Sequence, residues 1–337
     1  MEQKVKIKQE RNQKNQNSLL KNKSLLKRSI TGVFLVIAAV GWMFSGAVYL
    51  VDIFGTKPIW SAYTFMAINS LLLMMAIYEI VNLRKGLNWN ISIKILVFAM
   101  ALILLWLPLG NETFGPYIYN DKWFSFWITL VSWIFFILLF LIIRFSVKNF
   151  TYNDWAFICF WTFYLVFVFK GVNFLMLQEQ FPRHLGWATF TYLWVIILSN
   201  DIFAYFGGSL WGKHFMAPRI SPKKTWEGAI VGFIFGVALS MTTVAILVEI
   251  TKIDPLPIYQ GVVGKIPMYF VYLGLSCLLS ALTQIGDLLF SLLKRNHNVK
   301  DFSNIFPGHG GLLDRLDGFS LVVLFTYFLT FLLFSNL

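Results

Sequence analysis

Long apolar runs separated by short polar segments fill most of the chain after residue 29. A helix needs roughly 20 mostly apolar residues to cross a bilayer, and nine segments reach or approach that length. Turn-forming residues separate neighbouring segments, and the third segment is short. The pattern predicts an all-α polytopic integral membrane protein with about nine transmembrane helices. The predicted spans are approximately 30–53, 60–82, 92–109, 123–143, 155–176, 187–206, 229–250, 267–290 and 319–335.

Composition and charge support this class and predict an orientation. The chain is 58% hydrophobic and 13% charged, whereas soluble domains carry about 25% charged residues. With the N-terminus inside, the inside segments hold 21 Lys and Arg residues and the outside segments hold 5. Because cytoplasmic loops are enriched in basic residues, the N-terminus is predicted to be cytoplasmic. The net charge of +12 then reflects topology, and we expect no nucleic-acid partner.

Four aspartates are predicted to meet at the cytoplasmic membrane surface. Asp201 and Asp287 stand late in spans that run inward, and Asp314 and Asp317 stand just before the last span. The three-residue spacing of the last two places them on one face if the helix has already begun there. Carboxylates inside or beside a bilayer are functional candidates, and Mg²⁺ takes one or two of them together with substrate phosphates. An alternative remains open, in which each aspartate caps a helix or pairs with a base such as Arg315.

Basic and hydroxyl side chains that suit phosphate lie in the same two inside loops, 207–228 and 291–318. Flexible glycines in the second loop allow backbone amides to approach an anion. The combination indicates phosphoryl or nucleotidyl transfer to a substrate whose phosphate lies at headgroup level. The candidate phosphate ligands are Lys213, Arg219, Ser221, Lys223, Lys224, Thr225, Lys294, Arg295 and Lys300, and the glycines are Gly308, Gly310 and Gly311.

Two segments resemble the phosphatidate cytidylyltransferases, also called CDP-diacylglycerol synthases. Residues 291–317 read "SLLKRNHNVKDFSNIFPGHGGLLDRLD", and residues 199–228 read "SNDIFAYFGGSLWGKHFMAPRISPKKTWEG". The resemblance is specific over about 187–335. Two departures are Phe290, where members often carry an acid, and Gly318, where Ser is common.

The resemblance implies that CTP and phosphatidate react to give CDP-diacylglycerol and pyrophosphate. It implies a Mg²⁺ requirement, leaves a second cation open, and places the active site on the cytoplasmic side of the cell membrane. Carried over to this chain, Asp287, Asp314 and Asp317 would bind the metal. Further catalytic residues would be His309, Asp301 and Arg315. The substrate-binding set would be Lys223, Lys224, Ser221, Thr225, Lys294, Arg295 and Asp201.

The sequence thus divides into three predicted parts. Residues 1–29 form a basic, disordered cytoplasmic tail, which serves either as a topology signal or as a ligand for anionic lipids. Residues 30–186 form N-terminal transmembrane helices, and residues 187–337 form the catalytic transmembrane domain. Two other functions stay open, a related CTP-dependent lipid transferase or kinase and an ion-coupled transporter. A homodimer is also left open.

Overall fold

The computed structural model describes residues 29–50, 58–83, 91–107, 122–147, 150–177, 186–256 and 264–334. Apart from Ser29, the predicted tail lies outside the described residues. The described chain folds into nine α-helices and one small β-hairpin. The helices are α1 Ser29–Ala47, α2 Ile59–Leu83, α3 Ile91–Trp106, α4 Lys122–Ser146, α5 Tyr152–Leu177, α6 Gly186–Trp211, α7 Trp226–Ala245, α8 Lys265–Asn296 and α9 Leu313–Phe334, and the strands are β1 Phe215–Ala217 and β2 Ser221–Thr225.

The predicted membrane class is confirmed, and the predicted spans correspond to the nine helices in order. Eight of the described helices are long and apolar enough to cross a bilayer, and α3, at 16 residues, is shorter. Several predicted boundaries are wrong, including the end of α8, which lies at Asn296 instead of 290. The first helix ends at Ala47 and passes into a 3₁₀ turn at Val48–Leu50, instead of reaching residue 53. The last helix begins at Leu313, six residues before the predicted start at 319.

Several polar side chains inside the N-terminal helices are hydrogen-bonded. Asn69 of α2 donates to Asn173 of α5 at 2.6 Å, and Trp42 of α1 donates to Asn69 at 2.8 Å. Buried Lys170 of α5 donates to the carbonyl of Leu107, just past the end of α3. A cation there complements the negative end of the helix dipole. These contacts account for polar residues that would otherwise be costly in a bilayer.

Helices α6 and α7 approach closely because glycines line their contact. A Cβ atom added to Gly232 would lie 2.6 Å from the carbonyl oxygen of Asn200 and 2.8 Å from the Cβ of Ala204. One added to Gly207 would lie 2.7 Å from the Cβ of Val231. Small residues permit this kind of backbone contact between membrane helices. The packing fixes α6, which carries Asp201, against α7.

We therefore expect Gly232→Ala to push α6 and α7 apart. Overpacking of this kind costs about 1–3 kcal/mol, which should lower the thermal unfolding midpoint of the protein in detergent. Gly274→Ala in α8 is the matched control, since a Cβ added to Gly274 has no neighbour within 4 Å among the described residues. Equal midpoints for the two variants would contradict the proposed glycine contact.

Candidate active site

The candidate site forms at one end of the helix bundle. It comprises the end of α8, the start of α9, the hairpin formed by β1 and β2, and the segment 297–312 between α8 and α9, here called the signature loop. The hairpin and the end of α8 are joined directly, because the Arg295 guanidinium Nε donates to the Ile220 carbonyl at 3.1 Å. The two inside loops predicted to carry the chemistry thus lie together.

Three of the predicted aspartates, Asp201, Asp287 and Asp317, form what we call the acid cluster. The carboxyl of Asp317 lies within hydrogen-bonding range of Asp287, and both interact electrostatically with Asp201. Asp201 is exposed, and the other two are partly exposed. The cluster is therefore accessible to a ligand, and ionised carboxylates this close repel one another unless a cation or proton lies between them.

The cluster forms where α8 and α9 cross at glycines. A Cβ atom added to Gly286 would lie 2.7 Å from the carbonyl oxygen of Asp317. One added to Gly318 would lie 3.3 Å from the Asp287 Oδ1 atom and 2.9 Å from the Thr283 Cγ2 atom. Gly318, which departs from the family pattern, thus leaves space beside the Asp287 carboxylate.

The hairpin supplies the cation that contacts this cluster. Its strands are antiparallel, with Phe215 opposite Thr225, and Lys224 immediately precedes the residue that caps α7. The Lys224 Nζ atom donates to Asp287 Oδ2 at 2.8 Å. Glu227 fixes the approach to the hairpin by accepting bonds from the backbone N–H groups of Lys213 and His214. Lys224 therefore partly neutralises the acid cluster.

An amide network holds the helices beneath the acid cluster. Asn200 of α6 donates to the Ser280 Oγ and carbonyl oxygen atoms of α8 at 2.7 and 2.8 Å. Gln284 of α8 donates to Asn200 Oδ1 at 3.0 Å and to the Ala229 carbonyl of α7 at 2.9 Å. Asn200 precedes Asp201 and Gln284 stands three residues before Asp287, so this network sets the positions of both carboxylates.

Asp314 is placed differently from the other predicted metal ligands. Its Oδ1 atom accepts from Lys294 Nζ at 2.7 Å, and its Oδ2 atom accepts from the backbone N–H groups of Phe302 and Gly311 at 2.9 and 2.8 Å. Its side chain is only 6% exposed. Asp314 thus ties the middle and the end of the signature loop to α8, as the alternative of a paired aspartate allowed.

The turn of the signature loop positions His309 and Arg315. Gly308 and Gly310 both have a φ of 80°, a conformation that favours glycine. The Arg315 Nε and Nη2 atoms donate to the His309 carbonyl at 3.1 and 2.7 Å. The His309 ring packs beside Gly32 of α1, and its buried Nδ1 atom has no hydrogen-bond partner within the described part of the chain. Arg315 also interacts electrostatically with Asp201, so the turn and the acid cluster adjoin.

The remaining predicted residues lie around these groups. Thr225 is buried and caps α7 by accepting from the Gly228 N–H at 3.2 Å, which favours a structural role. Lys223 is exposed and Ser221 is half-buried on the hairpin. Lys300 and Asp301 are exposed and line a cavity of about 330 Å³ between the end of α2 and the signature loop.

Glu79 of α2 belongs to this end of the bundle, although no sequence motif indicated it. Its side chain is fully buried and accepts from Ser303 Oγ, Leu312 N and Leu313 N at 2.6, 2.7 and 2.8 Å. The available sequence signal was an acidic residue near the end of an apolar span, which is costly unless it is paired.

The acid cluster suits a Mg²⁺ ion that is completed by substrate. Within the described ranges, no three His, Cys, Asp or Glu residues converge as a full metal-binding group. Mg²⁺ commonly uses only one or two protein carboxylates and takes its other ligands from phosphates and water. Asp287 and Asp317 provide two adjacent carboxylates of this kind.

Comparison with known proteins connects these residues to one family. The family model described as the Cytidylyltransferase family matches residues 26–333. The phosphatidate cytidylyltransferase of Bacillus subtilis (strain 168) is 34% identical over 257 residues, which cover 76% of this chain and 84% of the relative. That of Haemophilus influenzae is 29% identical over 315 residues, covering 92% of this chain and the full length of the relative. The match reaches back to α1, beyond the segments that carried the resemblance. The chain therefore belongs to the cytidylyltransferase family.

Proposed function

We propose that this protein is a phosphatidate cytidylyltransferase, which converts CTP and phosphatidate into CDP-diacylglycerol and pyrophosphate. The observation that carries the proposal is the adjacent pair Asp287 and Asp317 at the crossing of two membrane-spanning helices, with Lys224 beside it. The relatives' names give the same activity. The distribution of basic residues supports a site that faces the cytoplasm from the cell membrane.

The placement of the carboxylates suits a substrate that stays in the bilayer. The acyl chains of phosphatidate keep its phosphate at headgroup level, so catalytic groups must be fixed at that depth. Asp287 lies nine residues before the end of α8, and Asp317 lies in the first turns of α9. Both are thus held by membrane-spanning helices, which position a site more rigidly than loops do.

We propose that Asp287 and Asp317 hold one Mg²⁺ ion, with Asp201 adding negative charge. When bound, Mg²⁺ supplies charge neutralisation at the triphosphate. Asp314 is assigned to the signature loop instead, because its oxygens already accept three hydrogen bonds. A second cation at Asp314 would have to displace the Lys294 ammonium.

Basic groups around the acid cluster would bind the phosphates. Lys224 and Lys294 are paired with aspartates, and each can turn its ammonium toward a phosphate when a cation neutralises the carboxylate. Exposed Lys223, Arg295 and Arg315 add positive charge at the same end of the bundle. The partly exposed imidazole of His309 is a further candidate to contact a phosphate oxygen. Charge-assisted hydrogen bonds of this kind position phosphates strongly.

The bonds made and broken follow from the two substrates. A phosphate oxygen of phosphatidate attacks the α-phosphorus of CTP, and a new P–O bond forms. The bond between the α-phosphorus and the bridging oxygen to the β-phosphate breaks, and pyrophosphate leaves with those electrons. Because a phosphate oxygen is already ionised at neutral pH, no strong general base is required. Positioning and charge stabilisation supply most of the catalysis.

Purified protein in phosphatidate-containing liposomes tests this proposal. With CTP and Mg²⁺, CDP-diacylglycerol and pyrophosphate should form in equal amounts, and chelation by EDTA should stop both. Formation of CDP and a newly phosphorylated lipid would indicate a kinase instead. Movement of solute across the liposome membrane without CTP, and no lipid product, would indicate a transporter.

A further inference from the structure

The start of α9 is capped by a carboxylate from a distant helix. Helices usually begin with a Ser, Thr, Asp or Asn side chain that accepts the first free N–H groups. The residues immediately before Leu313 are Gly311 and Leu312, which offer no such side chain. Glu79 of α2 takes this place, with one oxygen accepting from the Leu312 N–H and the other from the Leu313 N–H.

Two carboxylates together accept hydrogen bonds from three consecutive backbone N–H groups at this point. Asp314 accepts from the Gly311 N–H, and Glu79 accepts from the next two residues. Glu79 also accepts from Ser303 Oγ at 2.6 Å, so it holds the middle of the signature loop as well as its end. The Gly311 amide, one of those predicted to approach an anion, is therefore occupied by a carboxylate of the protein itself.

The contact depends on glycine at position 311. A Cβ atom added there would lie 2.7 Å from the Cδ atom of Glu79, which is too close for any side chain. Glu79 itself is fully buried, so neither water nor a soluble ligand reaches it. A buried carboxylate is costly unless its hydrogen bonds are satisfied, and the three donors from Ser303, Leu312 and Leu313 satisfy it.

From these contacts we propose that Glu79 is a positioning residue for the active site. It fixes the first turn of α9 against α2 and thereby sets the position of Asp317, which stands four residues after the second capped amide. Glu79 touches no substrate by this account, and it acts through the start of α9. Its effect on catalysis rests on the proposed role of Asp317, but its effect on the start of α9 does not.

The test compares Glu79→Gln with Asp154→Asn in the full-length protein. Asp154 is also a buried carboxylate at a helix start, where it accepts from the Thr151 N–H at 2.8 Å. In Glu79→Gln, hydrogen–deuterium exchange at Leu312 and Leu313 should rise at least about tenfold in metal-free protein. The kcat should fall about 10–100-fold, with a much smaller change in KM for CTP. Asp154→Asn should lower the thermal midpoint without either change.

Two further variants keep the proposal testable if Glu79→Gln does not fold. Gly311→Ala should displace the carboxylate and raise exchange at the same amides, and Ser303→Ala should give a weaker effect in the same direction. Unchanged exchange at Leu312 and Leu313 in all three variants would overturn the proposal. So would a normal kcat for folded Glu79→Gln. If the wild type makes no CDP-diacylglycerol, the proposed function fails, and the exchange result still decides the capping role.

Discussion

We expect Asp317→Asn to lower the rate of CDP-diacylglycerol formation by about three orders of magnitude, which is the scale for losing one key electrostatic group. The protein should stay as stable as the wild type or become more stable. Asp317 lies within hydrogen-bonding range of Asp287 and near Asp201, and Lys224 is the cation bonded to this group. Removing one negative charge relieves repulsion among the three. Functional sites commonly trade stability for activity in this way.

The measurement pairs steady-state activity with a thermal unfolding midpoint in the same detergent. Asp287→Asn should lose comparable activity, although Lys224 then loses its ion-pair partner. Asp154→Asn serves as the control for an amide replacement outside the acid cluster and should keep its activity. A folded Asp317→Asn protein with at least a tenth of wild-type activity would contradict the role assigned to Asp317.

The second large effect is expected at Asp314, three residues away, where both activity and stability should fall. Asp314→Asn leaves the Lys294 ammonium without its ion-pair partner. The pair is largely buried, since the Lys294 side chain is 13% exposed and the Asp314 side chain is 6% exposed. Breaking a buried pair by removing one partner costs about 3–5 kcal/mol. The signature loop should loosen, because the Phe302 and Gly311 N–H groups also donate to this carboxylate.

A double-mutant cycle separates these contributions. Lys294→Met and Asp314→Asn should each lower the unfolding midpoint, and the double variant should lose less than the sum, because neither charge is then left unpaired. Hydrogen exchange at Phe302 and Gly311 should rise in Asp314→Asn. If Asp314→Asn lost activity with unchanged stability and exchange, Asp314 would act at the metal, as the sequence first suggested.

The opposite stability effects expected for Asp317→Asn and Asp314→Asn depend on contacts that the sequence does not reveal. The three-residue spacing of Asp314 and Asp317 placed both on one face of a helix, and the structure begins that helix at Leu313. Their partners differ nonetheless, because Asp317 meets Asp287 and Asp314 meets Lys294. Lys294 lies seven residues after Asp287 in α8, which is about 10 Å farther along the helix. Which of the two carboxylates meets Lys294 depends on the register of α9 against α8, and that register is a tertiary feature.

The fold was predictable where hydrophobicity alone decides it. Long apolar runs gave the helices and their order, and the short third run became the 16-residue α3. The start of α9 was placed too late because the polar segment "LDRLDG" looks like a loop and carries no local cap. Glu79 supplies the cap from 233 residues away, so no local pattern could reveal it.

The sequence predicted which residues lie at the candidate site better than it predicted the role of each residue. Asp201, Asp287 and Lys224 were expected together and lie together, whereas Thr225 caps a helix. The contribution of α2 was not predicted, because the predicted division of the chain places the N-terminal helices outside the catalytic domain. Contacts of Glu79 and Gly32 with the signature loop cross that predicted boundary.

The most direct measurement uses CTP labelled in one phosphate at a time, with purified protein, Mg²⁺ and phosphatidate. Label from the α-phosphate should appear in the lipid product, and label from the γ-phosphate should appear only in pyrophosphate. Asp317→Asn should transfer the α-label to lipid, and release the γ-label in pyrophosphate, about a thousandfold more slowly than the wild type. Transfer of the γ-label to lipid, or no transfer of the α-label by the wild-type protein, would contradict the account.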